Sequence, residues 1–428
     1  MLILVLSSCI SKRTIKQEQH IITSDIENFW KAYDKISTTQ DSVLQYNYLD
    51  SLFIKKGTLG LKGIMQARNY TPKEYIDAIN TYPKFWNSVR KNTLTTSDYV
   101  DELYEGIEKI RNIYPELKPA KIYFTMGALR TPGTTVDSLV LIGSELAMSD
   151  KNTVSLEFQG NVQTGRRTYF DSNPIKNIVL LNIHEYVHTQ QKSAVNNLLS
   201  YALREGIAEF VSVKAMNVSS AAPAINYGKQ NEAVKQKFEN TMFYGNNLHH
   251  WLWSDFQNEF STRDLGYYIG YQIAEINYEN AQNKKAAIKE MIELDYTNET
   301  QIEDFVDRTN FFSKSLEALY IDFENKRPKV LGIQQFKNKS KQVSPKITEI
   351  TIEFSEALNG HHTGVDYGEL GKEAFPKILD RYWSEDNTSW TLKAELEPNT
   401  AYQILISNFR TEDEMPLKPY LIDFKTTD

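Results

Sequence analysis

The chain has 428 residues, 41% of them hydrophobic and 12% aromatic, enough for two or three domains with real cores. A formal net charge of −7, spread along the chain, argues against a nucleic-acid partner. A single cysteine, Cys9, excludes an intrachain disulfide.

At the start, Leu2-Ile3-Leu4-Val5-Leu6 is an apolar run that leads into Ser7-Ser8-Cys9. Small residues before a cysteine, behind an apolar run, resemble a bacterial lipobox. That resemblance implies cleavage before Cys9, lipidation of Cys9 and an extracytoplasmic address in the bacterial cell envelope. Only eight residues precede Cys9 and none of them is basic, which departs from the usual signal. No other stretch reaches the roughly 18 apolar residues that span a bilayer, so contact with the membrane is expected by the lipid anchor only. Residues 1–22 are assigned as signal and tether.

From Ile26 to Tyr114 the apolar residues recur at helical spacing, as in Ile26, Phe29, Trp30 and Tyr33 and again in Leu103, Ile107 and Ile110. Lys121–Thr125 and Ser138–Ile142 read as strands, with Thr131-Pro132-Gly133 as a turn between them, and Thr153–Phe158 as a further short strand. Asn173-Pro174 reads as an N-cap followed by a proline in the first helical position. The helix it opens runs through an apolar stretch to His188, and a second helix is expected from Val195 to Met216. Further helices fill 228–326, among them an aromatic-rich one at Leu265–Tyr278. Beyond Arg327-Pro328 the pattern changes to the alternation of strands, as in Ile350, Ile352 and Phe354 and in Tyr402, Ile404 and Ile406, which suggests a β-sandwich.

The chemistry concentrates in His184-Glu185-Tyr186-Val187-His188. On a helix, residues four apart share a face, so His184 and His188 can hold one Zn2+ ion while Glu185 leans over a water bound to it. A catalytic zinc keeps three protein ligands and an open place for water. No third histidine follows His188 at metzincin spacing. The third ligand is expected from Arg204-Glu205-Gly206-Ile207-Ala208-Glu209, as Glu205 or Glu209. Gly206 would let this helix approach the pentad helix closely.

These two strings resemble those of the gluzincin metallopeptidases. The resemblance implies Glu205 as the metal-binding glutamate and Glu209 as the acid that accepts a bond from His184. Sixteen residues separate His188 from Glu205, slightly fewer than in that group. Under this reading Glu185 is the general base, and Tyr267 and Tyr271, four apart in Gly266-Tyr267-Tyr268-Ile269-Gly270-Tyr271, are candidate oxyanion donors. The same strings, with Asp25–Trp30, resemble over 24–325 an uncharacterised family of predicted zinc-dependent proteases that includes envelope lipoproteins. Phe354-Ser355-Glu356-Ala357-Leu358, Leu396–Tyr402 and Phe424-Lys425-Thr426 resemble a bacterial Ig-like module over 329–428.

The expected fold is α+β: a gluzincin-like domain of a small mixed sheet plus helices over 23–326, followed by an all-β Ig-like sandwich over 327–428. The expected function is that of an envelope-anchored zinc metallopeptidase acting on a peptide or protein substrate. The alternative is a non-catalytic, metal-binding envelope lipoprotein that acts as a binding or assembly factor.

Overall fold

The structure is a computed structural model that describes residues 20–245, 247–253 and 258–428. The apolar start and Cys9 lie outside the described residues. The chain divides into two compact units, one of residues up to 234 with 249–311, the other of 235–248 with 312–428.

The first unit is α+β. Its opening helices run Ser24–Ile36, Ser42–Leu49, Leu59–Ala67, Pro72–Thr81, Pro83–Thr93 and Val100–Ile113. The apolar stripe of the first (Ile26, Phe29, Trp30, Tyr33, Ile36) is buried. Phe29 meets Trp30 and Phe53 edge-on with ring centroids 5.2 and 5.3 Å apart, the favoured aromatic geometry. Three of these helix starts are satisfied locally by side chains. Asp41 and Thr58 accept backbone N–H bonds, and Thr71 forms a capping box with Glu74.

A four-stranded sheet follows, in the order β1 (Ile21–Ile22), β2 (Lys121–Thr125), β4 (Leu139–Gly143), β3 (Gly133–Val136). β2 pairs with β4 in parallel and β3 with β4 in antiparallel, so β3 is an edge. Ile122, Phe124, Val140 and Ile142 on one face and Tyr123 and Leu141 on the other are all buried, as strands covered on both faces require. Three expectations are corrected here. The end of the tether, Ile21–Ile22, is a strand parallel to β2. Gly133 belongs to β3 rather than to a simple turn. Residues 153–158 form turns and no strand, because Asp150 and Ser155 draw the backbone N–H groups of Thr153 and Phe158 into local bonds.

Three helices then carry the chemistry: the pentad helix Ile178–His188, the glutamate helix Leu198–Met216 and the tyrosine helix Gly266–Asn280. Asn173 is left-handed (φ 60°) and makes no side-chain cap bond, and Pro174–Asn177 is a 3-10 turn. The pentad helix therefore starts at Ile178, later than the Asn173-Pro174 signal implies. Gly206 faces the tyrosine helix rather than the pentad helix. A Cβ on Gly206 would lie 2.1 Å from the Tyr271 nitrogen, and one on Gly270 would lie 1.9 Å from the Ala202 carbonyl oxygen. The two glycines let these backbones touch.

The second unit holds two sheets, β5 (Val330–Ile333), β6 (Glu349–Phe354), β9 (Ser389–Glu395) and β8 (Lys377–Trp383) in the order β5-β6-β9-β8, and β11 (Tyr420–Lys425), β10 (Ala401–Asn408) and β7 (Gly364–Asp366) in the order β11-β10-β7. Every named pairing in them is antiparallel. Ile350, Ile352, Trp390, Leu392, Ile404, Ile406 and Phe424 form one apolar core across both sheets. The helix Leu316–Lys326 ends just before the change of composition at Arg327-Pro328. It belongs to this unit, with Phe243 edge-on to Tyr320 and tilted against Phe323 and Arg327 donating to the carbonyls of Pro416 and Leu417.

Candidate metal centre

The pentad helix places His184 and His188 one turn apart with their rings at 85° and their Nε2 atoms 3.1 Å apart. Glu205 reaches across from the glutamate helix. Its Oε2 lies 3.1 Å from His188 Nε2 and 3.5 Å from His184 Nε2. All three side chains are buried, and their ligand atoms form a group that could hold a metal ion. At zinc bonds of about 2.0–2.1 Å, two atoms of a tetrahedral ligand set stand roughly 3.3–3.4 Å apart. The triangle of 3.1, 3.1 and 3.5 Å fits that shape.

The outer nitrogens are held as well. His184 Nδ1 lies 3.1 Å from Glu209 Oε2, and the Ser220 hydroxyl donates to the other oxygen of Glu209. His188 Nδ1 lies 2.7 Å from Gln191 Oε1. Such backing directs Nε2 of each ring at the centre. Glu205 thus faces the Nε2 pair, and Glu209 stands behind His184.

Burial opposes charge on His184, yet Glu205 and Glu209 beside it overcome that and raise it to about 10. Burial pushes the two glutamates up, and the histidines more than offset this, holding Glu205 well below its ordinary value and Glu209 below its own. In the metal-free chain a proton shared with His184 therefore compensates the carboxylates. A divalent cation would take over that role.

Tyr267 lies over His184, ring centroids 6.0 Å apart and planes at 24°, and accepts a bond from Trp253 Nε1 (3.3 Å). Burial and the neighbouring Glu205 push its hydroxyl well above the ordinary phenol value. Tyr271 packs edge-on against Phe210 (5.4 Å) with Lys229 over its ring (4.9 Å). It lines a groove of about 280 Å³ with Val213, Asn217, Ser220 and Lys229. Glu185 is half-buried and lies against β3, where a Cβ on Gly133 would sit 3.0 Å from its Oε1. Gln191 escapes a reading by motif, because it lies beyond the helix end. Its one signal is the spacing of three from His188. Ser220 carries no signal in the sequence.

Two crystal structures of the bacterial surface-layer protein SbsC align with the chain, at 10% identity over 66% of this chain and 39% of that one (TM-score 0.19), and at 11% identity over 94% and 45% (TM-score 0.18). The chain spans about two fifths of the length of the first. No curated protein matches the chain. A family model does match, over residues 10–248, and its description is gliding motility protein GldB. That span contains the sheet, the pentad helix and the glutamate helix. The family is one of bacterial envelope lipoproteins of gliding motility, and this overturns the peptidase expectation: the gluzincin and predicted-protease resemblances, the assignment as a hydrolase and, with them, Glu185 as the general base of a peptidase. The physical reason is that two histidines four apart on a helix, with a carboxylate across from them, fix a ligand geometry and leave its use open. The chain belongs to the GldB family of gliding motility lipoproteins, and its place is the bacterial cell envelope.

Proposed function

We propose that this chain is a non-catalytic, metal-binding envelope lipoprotein, lipidated at Cys9, that serves gliding motility as a binding and assembly factor for other envelope proteins. The observation that carries the reading is the family match over 10–248, which spans the buried His184–His188–Glu205 group. Zinc suits this ligand set of two imidazoles and one carboxylate. Its work here is to join the pentad and glutamate helices, so that metal binding contributes to the folded state. The partner surface is protein. Among the described residues no helix is long and apolar enough to cross a membrane, so the lipid is the proposed attachment.

The experiment replaces the native copy in its own host. A Glu185→Gln chain is expected to restore gliding to the wild-type extent, because no water has to be activated. The double substitution His184→Ala with His188→Ala is expected to lose both zinc and gliding. A Glu185→Gln chain that is produced, exported and zinc-loaded yet leaves the cells non-motile would sink this reading.

A further inference from the structure

The hydrogen bonds behind His188 run in one direction only. The Tyr296 hydroxyl donates to the Met291 carbonyl (2.7 Å), which can only accept. The Tyr296 oxygen must then accept from Gln191, whose Nε2 stands 2.9 Å away. The other proton of that Nε2 goes to the Arg204 carbonyl (3.1 Å), also an acceptor. Both amide protons are spent, so the amide cannot be turned over. Gln191 Oε1 can only accept, and its partner 2.7 Å away is His188 Nδ1. The proton of a neutral His188 therefore sits on Nδ1, and its Nε2 lone pair points at the centre.

Glu209 places the same demand on His184, since a carboxylate oxygen faces its Nδ1. Two lone pairs and a carboxylate oxygen then converge within 3.5 Å of one another. With both rings neutral that arrangement is repulsive, and it is relieved by a proton on His184 or by a metal ion at its centre. Gln191 and Tyr296 are both buried, and the Tyr296 carbonyl is itself held by the Ser200 hydroxyl (2.6 Å) and the Val195 N–H (2.9 Å).

We infer that Gln191, oriented by Tyr296, is a positioning residue of the metal centre that locks His188 in the Nδ1–H tautomer. The residues at 191 and 296 touch no metal; they set the direction of a ligand. This rests on the zinc reading proposed above, and it ties the centre to the segment around 291–296, which lies outside the 10–248 span.

The test uses the full chain. Zinc affinity is read by competition with a chromophoric chelator, and the tautomer by ¹⁵N-histidine NMR of the zinc form. Gln191→Leu is expected to weaken zinc binding about 10–100-fold, the usual cost of losing such a partner. Tyr296→Phe is expected to weaken it less, and Gln191→Glu, which keeps an acceptor on His188, is expected to recover most of the loss. Melting in excess chelator separates this from misfolding, since Gln191→Leu should then stay within a few degrees of wild type. His188 protonated on Nε2 in the zinc form, or a folded Gln191→Leu chain with unchanged affinity, would overturn the inference. A wild-type chain with no zinc affinity would overturn the zinc reading instead.

Discussion

The two units bury different things. The helical unit encloses Asp25, Glu145, His184, His188, Glu205 and Glu209, whereas in the sandwich unit the buried polar side chains, among the described residues, are neutral: threonine, asparagine and glutamine. An apolar core needs only shape and volume. A buried charge costs desolvation and returns it only if every partner is in place. The helical unit has accepted a cost whose return lies elsewhere, and four of its six buried ionisable side chains belong to one cluster.

The sharpest way to break this comparison is to damage each core separately. Trp390 is 1% exposed and packs edge-on against Phe409 at 5.0 Å. Trp390→Ala is expected to destabilise the sandwich by about 3–5 kcal/mol. Zinc content should stay near one ion per chain, and hydrogen exchange should rise in 330–428 while the pentad helix stays protected. Loss of zinc in this variant would show that the two cores are one.

Glu205→Ala is the mirror experiment. It leaves two histidines facing each other with their carboxylate gone, and breaking such a buried group costs about 3 kcal/mol. Metal analysis should fall from one zinc to near none, and exchange should rise in the pentad and glutamate helices with the sandwich unaffected. A chain that keeps its zinc after this change would shift the ligand role to Glu209.

Much of the helical unit is legible from local pattern. His184 and His188 need only the helical repeat to meet, and Lys121–Thr125 shows itself by its apolar run. What is not legible depends on distant residues. β2 pairs in parallel with β4 across an intervening hairpin strand, β3, that local turn signals hide. Gly206 announces a close approach, and its partner is the tyrosine helix rather than the expected pentad helix. The segment 235–248 joins the sandwich unit through Phe243, 77 and 80 residues from its ring partners Tyr320 and Phe323. Gln191 works only because Tyr296, far along the chain, orients it. The role of the centre is illegible for a deeper reason. A ligand geometry is a local property, whereas the decision to bind or to hydrolyse belongs to the whole surface around it.

Glu145 sharpens the comparison with the smallest effect, because it is a buried charge of the helical unit that takes no part in the metal centre. Its two oxygens accept from the Gly127 and Leu129 N–H groups (2.8 and 3.1 Å), pinning the loop that leads into β3. Burial raises its pKa above the ordinary carboxylate value despite those bonds. A carboxyl raised in the folded state binds its proton more tightly there than in the unfolded chain. Its contribution to stability is therefore full below the unfolded value, near 4.5, and is lost as pH rises through the folded one. Asp25, also raised by burial, acts in the same sense. Measured with a chelator present, so that loss of metal at low pH does not intervene, the helical unit should lose stability as pH climbs from 4.5, and the sandwich should lose none from this source. Glu145→Gln should flatten that slope at a cost of about 1–3 kcal/mol, because an amide turns one N–H toward another. An unchanged slope in Glu145→Gln would assign the pH response to Asp25 or to the cluster, and the helical unit's buried charges would then act as one system rather than as two.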